Sequence, residues 1–207
     1  MARTVVKICG ITRAEDARAA VDAGADWLGF VLMGDSPRRI EPSRARAIAA
    51  SVDGTVTVAV MVGPTPDQAL ETASLAGAQR VQLHRVDAYA WPRDFPMPVA
   101  FAVPVAEDGA LTESLPPESQ LVLLDTSDPR RAGGTGRTFP WETARVVAAT
   151  RPMLLAGGLD ADNVEEALDR VRPFGVDACS RLETEPGLKD AEAMRRFVAA
   201  VRRFDER

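Results

Sequence analysis

A chain of 207 residues, 46% hydrophobic and 27% charged, has the composition of an ordinary folded domain with a substantial core. Its net charge of −5 argues against the basic surface that nucleic-acid binding requires, and no run approaches the roughly 18 apolar residues of a membrane span. Cys9 and Cys179 are too few for a disulfide framework and, with a single histidine, too few for a structural zinc site; the opening MARTVVKICGIT lacks the apolar core of a secretory signal, so a reducing cytoplasm is the expected setting.

Short apolar, β-branched runs alternate with amphipathic helical segments along the whole chain. The first strand is expected at residues 4–9 and is followed by a helix at 14–23; strand 27–32 precedes helix 42–50, and strand 55–61 precedes helix 66–76. After the fourth strand, 80–84, residues 86–93 offer barely two turns before Pro92 and Pro96. After the fifth, 98–103, Gly109, Pro116 and Pro117 favour a loop over a helix. Strand 121–125 precedes helix 141–149, strand 153–156 precedes helix 162–171, and strand 175–180 precedes helix 191–204. Strands alternating with helices imply parallel pairing through right-handed crossovers. With no compositional break, the reading is one α/β domain over residues 1–207, a compact (β/α)8 barrel with weak or missing helices after strands four and five. A doubly wound open sheet is the competing architecture.

The strand ends favour the barrel, because barrel enzymes carry their active sites at the C-terminal ends of the strands. Residues two apart on a strand share a face. In the first strand Val6 and Ile8 suit the helix side, which turns Lys7 and Cys9 inward. In the fourth Val81 and Leu83 face the helices and Gln82 and His84 point inward. In the sixth Leu121, Leu123 and Asp125 share the inner face, with the carboxylate uppermost. Cys9, His84 and Asp125 are thus expected at one mouth. A buried cysteine is usually a small hydrophobe, but Lys7 on the same face is expected to favour the Cys9 thiolate and lower its pKa.

The seventh unit, MLLAGGLDADNVEEALDRV, ends its strand in Gly157-Gly158 and opens its helix with Asp162 and Glu165 in a capping-box pattern. Glycines there let backbone N–H groups approach an anion, and the loops after strands seven and eight with a short extra helix commonly bind phosphate in barrels. The eighth strand ends in Cys179-Ser180-Arg181. In Ser36-Pro37-Arg38, after the second strand, Pro37 stiffens the loop and Arg38 is suited to grip a carboxylate bidentately. Gly133-Gly134-Thr135-Gly136 lacks the dinucleotide pattern and reads as a flap over the mouth.

Taken together these segments resemble the phosphoribosylanthranilate isomerase family. The resemblance lies in Lys7-Ile8-Cys9-Gly10-Ile11-Thr12, Ser36-Pro37-Arg38 and Gln82-Leu83-His84. It continues in Asp125 with Gly133-Gly134-Thr135-Gly136, Phe139 and Trp141, in Leu155-Ala156-Gly157-Gly158-Leu159 with Asn163-Val164, and in Gly175-Val176-Asp177 through Pro186-Gly187-Lys189-Asp190. Six motifs in order span residues 5 to about 200. The resemblance implies an Amadori rearrangement of a sugar phosphate in tryptophan biosynthesis, with Asp125 as general acid and Cys9 as general base. It assigns substrate binding to Lys7, Arg38, Gln82, His84 and Asp177, with Arg38 on the anthranilate carboxylate, and phosphate binding to Gly157, Gly158, Ser180 and Arg181. It implies no metal or organic cofactor, and leaves monomer and homodimer open. The chain departs from the family pattern at Arg85 and Arg181, where glycine is usual, and at Cys179, where serine is common. The neighbouring readings are the histidine-pathway isomerase that performs the same rearrangement, which resembles two aspartates rather than a cysteine and an aspartate, and a non-catalytic phosphate-binding paralogue.

Overall fold

The structure is a computed structural model that describes residues 3–126 and 140–207. Eight parallel strands close on themselves in chain order: β1 (Val5–Cys9), β2 (Trp27–Met33), β3 (Val56–Val62), β4 (Arg80–His84), β5 (Val99–Val105), β6 (Leu121–Thr126), β7 (Met153–Leu155) and β8 (Gly175–Ala178), with β8 pairing back onto β1. The helices are α1 (Ala14–Ala23), α2 (Pro42–Ala49), α3 (Pro66–Ala76), α4 (Glu142–Ala148), α5 (Val164–Val171) and α6 (Ala191–Asp205). The crossovers after β4 and β5 carry no helix, as their prolines and Gly109 imply. A closed barrel has no sheet edge, so the open-sheet alternative is excluded. No helix among the described residues is long and apolar enough to cross a membrane.

Strand alternation sorts the side chains into two cores. Val6, Ile8, Leu28, Phe30, Val81 and Leu83 pack outward against helix residues such as Ala17, Ala73 and Phe197. Trp27, Val58, Val60, Ala102, Leu123 and Leu154 fill the barrel interior below the mouth, and Cys9 belongs to this inner set. The narrow lower end depends on Gly175, where an added Cβ would stand 2.6 Å from the Val5 carbonyl oxygen. Helix starts follow local chemistry: Thr65 and Gln68 form a reciprocal capping box on α3, and Asp190 accepts from two amides of α6.

Two local expectations are corrected. The Asp162–Glu165 box does not form. Helix α5 starts at Val164 with Asn163 before it, and Glu165 instead pairs with Arg203 and Arg207 of α6. Asn163 turns back on the glycine loop, donating to the Gly158 carbonyl at 2.8 Å and accepting from the Asp160 amide at 3.0 Å. The eighth strand stops at Ala178, so Cys179 and Ser180 leave it. A 3-10 turn over Ser180–Leu182 follows, then an antiparallel pair, β9 (Glu183–Glu185) with β10 (Leu188–Lys189). The flap reading of Gly133-Gly134-Thr135-Gly136, and Phe139 with it, lies outside the described residues.

Candidate active site

A cavity open to solvent lies at the C-terminal ends of the strands. Its lining includes Cys9 from β1, Arg38 from the β2–α2 loop, Gln82 and His84 from β4, Asp125 from β6, Gly157 and Gly158 after β7, and Asp177, Cys179, Ser180 and Arg181 from β8 and its continuation. Ten of the eleven site residues read from the sequence therefore meet at one mouth.

The eleventh, Lys7, does not reach the cavity. It lies fully buried beneath the floor, with Nζ 2.8 Å from Asp177 Oδ2. Burial opposes its charge, but Asp177 and Cys9 outweigh that and hold the ammonium protonated. The expectation that Lys7 meets substrate is corrected: its side chain is spent on supporting the groups above it. The other Asp177 oxygen, Oδ1, is buried without a hydrogen-bond partner among the described residues, and so is Gln82 Oε1. Two buried acceptors left open on a cavity wall ask for donors from a ligand. Gln82 donates its amide to His84 Nε2 at 2.9 Å, which leaves the proton on the other ring nitrogen. Burial, with Lys7 and Arg85 nearby, pushes His84 down to about 4, so it stands as a neutral imidazole at pH 7.

Asp125 sits at the top of β6, where Oδ1 accepts from the Thr126 amide at 2.8 Å. Burial and the charge of Asp177 push its carboxyl up to about 7, so a large fraction carries a proton at neutral pH. Burial likewise pushes Asp177 up to about 7 despite Lys7. The thiols correct the sequence reading. Cys9 is pushed up, first by its hydrogen bond with Cys179 and then by burial; Lys7 pulls in the expected direction but does not prevail. Cys179 is instead pushed down to about 7, chiefly by the same hydrogen bond and by Lys189 and Arg38. The two thiols titrate as a pair, in which Cys9 holds its proton and Cys179 is the one that ionises near neutrality.

Arg38 is buried, and Glu183 grips it bidentately: Nε donates to Oε1 at 2.9 Å and Nη2 to Oε2 at 2.7 Å. Lys189, fully buried, donates to the same carboxylate at 2.8 Å. Both cations share this one carboxylate, and the Cys179 sulfur lies 3.7 Å from Lys189 Nζ and 4.0 Å from Glu183 Oε1. Across the mouth, Gly157 and Gly158 adopt φ of +94° and +61°, a pair of left-handed conformations that only glycine takes without strain. Arg181 is half-exposed and reaches Asp160 at 3.7 Å. Arg85 has φ +54°, so the arginine at a usual glycine position does occupy a strained conformation.

The family model for N-(5′-phosphoribosyl)anthranilate isomerase matches residues 6–200. The chain belongs to that family. The isomerase of that name from Rubrobacter xylanophilus is 42% identical over 202 residues, covering 95% of this chain and 98% of its own. The crystal structure of the Thermus thermophilus phosphoribosyl anthranilate isomerase is similar at TM-score 0.85 and 38% identity, covering 97% of this chain and 99% of that one. A further crystal structure of this isomerase, in complex with reduced 1-(o-carboxyphenylamino)-1-deoxyribulose 5-phosphate, is similar at TM-score 0.78 and 31% identity, with 96% and 98% covered.

Within this isomerase fold, sequence reasoning missed Glu183 and Lys189 as the groups that hold Arg38, and Gly29 as the neighbour that makes room for Cys9. Gly29 lies opposite Cys9 in register, and a Cβ there would stand 2.8 Å from Cys9 Sγ and 3.1 Å from Lys7 Nζ. A glycine inside an apolar strand is a signal of close approach, and it was present in the second strand. The ion pairs had no such signal, since surface and buried charges read alike in sequence.

Proposed function

We propose that this site converts N-(5-phosphoribosyl)anthranilate into 1-(2-carboxyphenylamino)-1-deoxyribulose 5-phosphate, with Asp125 as general acid and Cys9 as general base. The observation that carries the assignment is that Asp125, its carboxyl raised to about 7, and the Cys9 thiol face the same cavity. Groups whose environments prepare one to give a proton and another to take one are what an acid–base isomerisation needs at neutral pH.

In this reading the acid acts first. Asp125 protonates the ribose ring oxygen as the C1′–O bond breaks, and the amine nitrogen supplies electrons to form a protonated Schiff base. Cys9 then removes the C2′ proton to give an enolamine, which tautomerises to the ketone. Cys9 takes that proton as its own proton passes to the Cys179 thiolate beside it. Asp177 Oδ1 is placed to accept from the amine or a sugar hydroxyl, and Gln82 Oε1 is the second open acceptor. The Arg38 guanidinium, held in place by Glu183, suits the anthranilate carboxylate. The opposite rim, with Gly157, Gly158, Ser180 and the backbone at Arg181, suits the phosphate. All these groups come from one chain, so the same reading accommodates a monomer or a homodimer with a complete site in each copy. The two free thiols fit the cytoplasm as its setting.

The direct test follows the fluorescence of phosphoribosylanthranilate in the presence of purified protein. Consumption with conversion to the aminodeoxyribulose phosphate is the expected result. Substrate that binds and persists would make this a binding protein and sink the catalytic roles.

A further inference from the structure

Cys179 is the departure from the family pattern that lands beside the proposed base, and it turns one thiol into two. Strands β1 and β8 pair in parallel with Ile8 opposite Ala178, so Cys9 ends its strand beside the point where Cys179 leaves the neighbouring one. Adjacent strands lie about 4.8 Å apart, inside the roughly 4.4–6.8 Å window of Cα separations that a disulfide spans. Both side chains line the same cavity at the top of these strands. Glycines on both flanks leave space around the sulfurs: a Cβ on Gly29 would stand 2.8 Å from Cys9 Sγ, and one on Gly10 would stand 3.0 Å from Cys179 Sγ.

We propose that Cys9 and Cys179 form a reversible oxidation site, at which a small hydroperoxide joins the two thiols in a disulfide that removes the base. Both cysteines line the open cavity, and Cys179 is only half-buried, so a reagent the size of hydrogen peroxide reaches it. Its sulfur lies 3.7 Å from Lys189 Nζ, with Arg38 on the same side of the mouth, and these two cations face the single Glu183 carboxylate, whose Oε1 is 4.0 Å from the sulfur. A thiolate in such surroundings is the form that attacks peroxide. The lowered pKa of Cys179 and the raised one of Cys9 divide the work the same way.

The chemistry balances without a further reagent. The Cys179 thiolate attacks one peroxide oxygen, the O–O bond breaks, and the leaving oxygen takes a proton to become water or an alcohol. Cys179 is then a sulfenic acid. Cys9, as thiolate, attacks that sulfur; the S–S bond forms, the S–O bond breaks, and the departing hydroxide leaves as water with the proton Cys9 gave up. Two thiols are oxidised by two electrons and one hydroperoxide is reduced by two.

The test treats the full chain with hydrogen peroxide and reads intact mass, free thiols and turnover. The expected product has lost two hydrogens and has no free thiol. Its turnover falls by about tenfold or more, as for a lost base, and returns on incubation with dithiothreitol. In Cys179→Ser, which lacks the attacking thiolate, Cys9 should stay a free thiol under the same treatment and the variant should keep its own untreated rate. The fall in turnover rests on Cys9 being the base, whereas the mass does not. A disulfide form that keeps its turnover would therefore overturn the base assignment alone. Wild-type protein that gains oxygens on its cysteines with no species short of two hydrogens would overturn the proposal, whatever the fate of the serine variant.

Discussion

Replacing Asp125 with asparagine should remove activity and raise stability in one substitution, and the two effects have a common cause. A carboxyl moved from an ordinary value of about 3.9 to about 7 resists ionisation by up to about 4 kcal/mol, and water at the open mouth reduces that to about 1–3 kcal/mol. The sign follows from proton binding. Between about pH 4 and pH 7 the unfolded chain has lost this proton while the folded chain keeps it, so wild-type stability declines as pH rises through that interval and levels off above about 7. Asparagine does not titrate, and the cost of burying its amide is the same at every pH. Urea unfolding of both proteins at pH 5 and pH 8 isolates the effect. The variant's advantage should be larger at pH 8 than at pH 5 by about 1–2 kcal/mol. In the same protein kcat should fall about 10²–10⁴-fold with KM little changed, the signature of an interaction made in the transition state. An advantage that does not vary with pH would refute the raised carboxyl. A kcat that holds while KM rises would make Asp125 a binding residue.

Cys9→Ala should lower kcat about 10²–10⁴-fold while leaving the circular dichroism spectrum intact; turnover within threefold of wild type, or about that, would discard the base assignment. Arg38→Ala removes the guanidinium that Glu183 holds in place, so binding of a carboxylated product analogue should weaken by about 2–5 kcal/mol, measured by calorimetry, with no such penalty for an analogue lacking the carboxylate. The dependence of kcat/KM on pH should be bell-shaped around neutrality, because protonating the dithiol pair removes the base below about 7 and ionising Asp125 removes the acid above about 7; a flat profile from pH 6 to pH 8 would contradict both. Arg85→Gly relieves a left-handed backbone worth about 1–2 kcal/mol but returns about 0.5–1 kcal/mol of unfolded-state entropy, so the denaturation midpoint should rise by the equivalent of about 0.5–1 kcal/mol; a fall would show that the side chain makes contacts that outweigh its strain.

The sequence by itself determined the parts of this protein that follow a local period. Alternation along a strand has a repeat of two, so Val6 and Ile8 against Lys7 and Cys9 could be assigned to opposite faces before any coordinates. Prolines and glycines forbid helices by their own geometry, so the two helix-free crossovers were legible as well. Once eight strands close in order, residues at their C-terminal ends must converge, which is why Cys9, Arg38, Gln82, His84, Asp125 and Asp177 were found together. Capping was less legible, since Asp162 and Glu165 satisfied the pattern while Arg203 and Arg207, far along the chain, claimed Glu165. Only the tertiary structure decided the electrostatics. Lys7 and Asp177, Arg38 and Glu183, and Cys9 and Cys179 are partners across more than a hundred residues of chain, and no spacing rule connects them. The pKa of a buried group depends on desolvation and on whichever charges the fold brings within a few ångströms. Lys7 in the same strand was visible and pulled Cys9 the right way, but the proton on that thiol was settled by a residue from the other end of the chain.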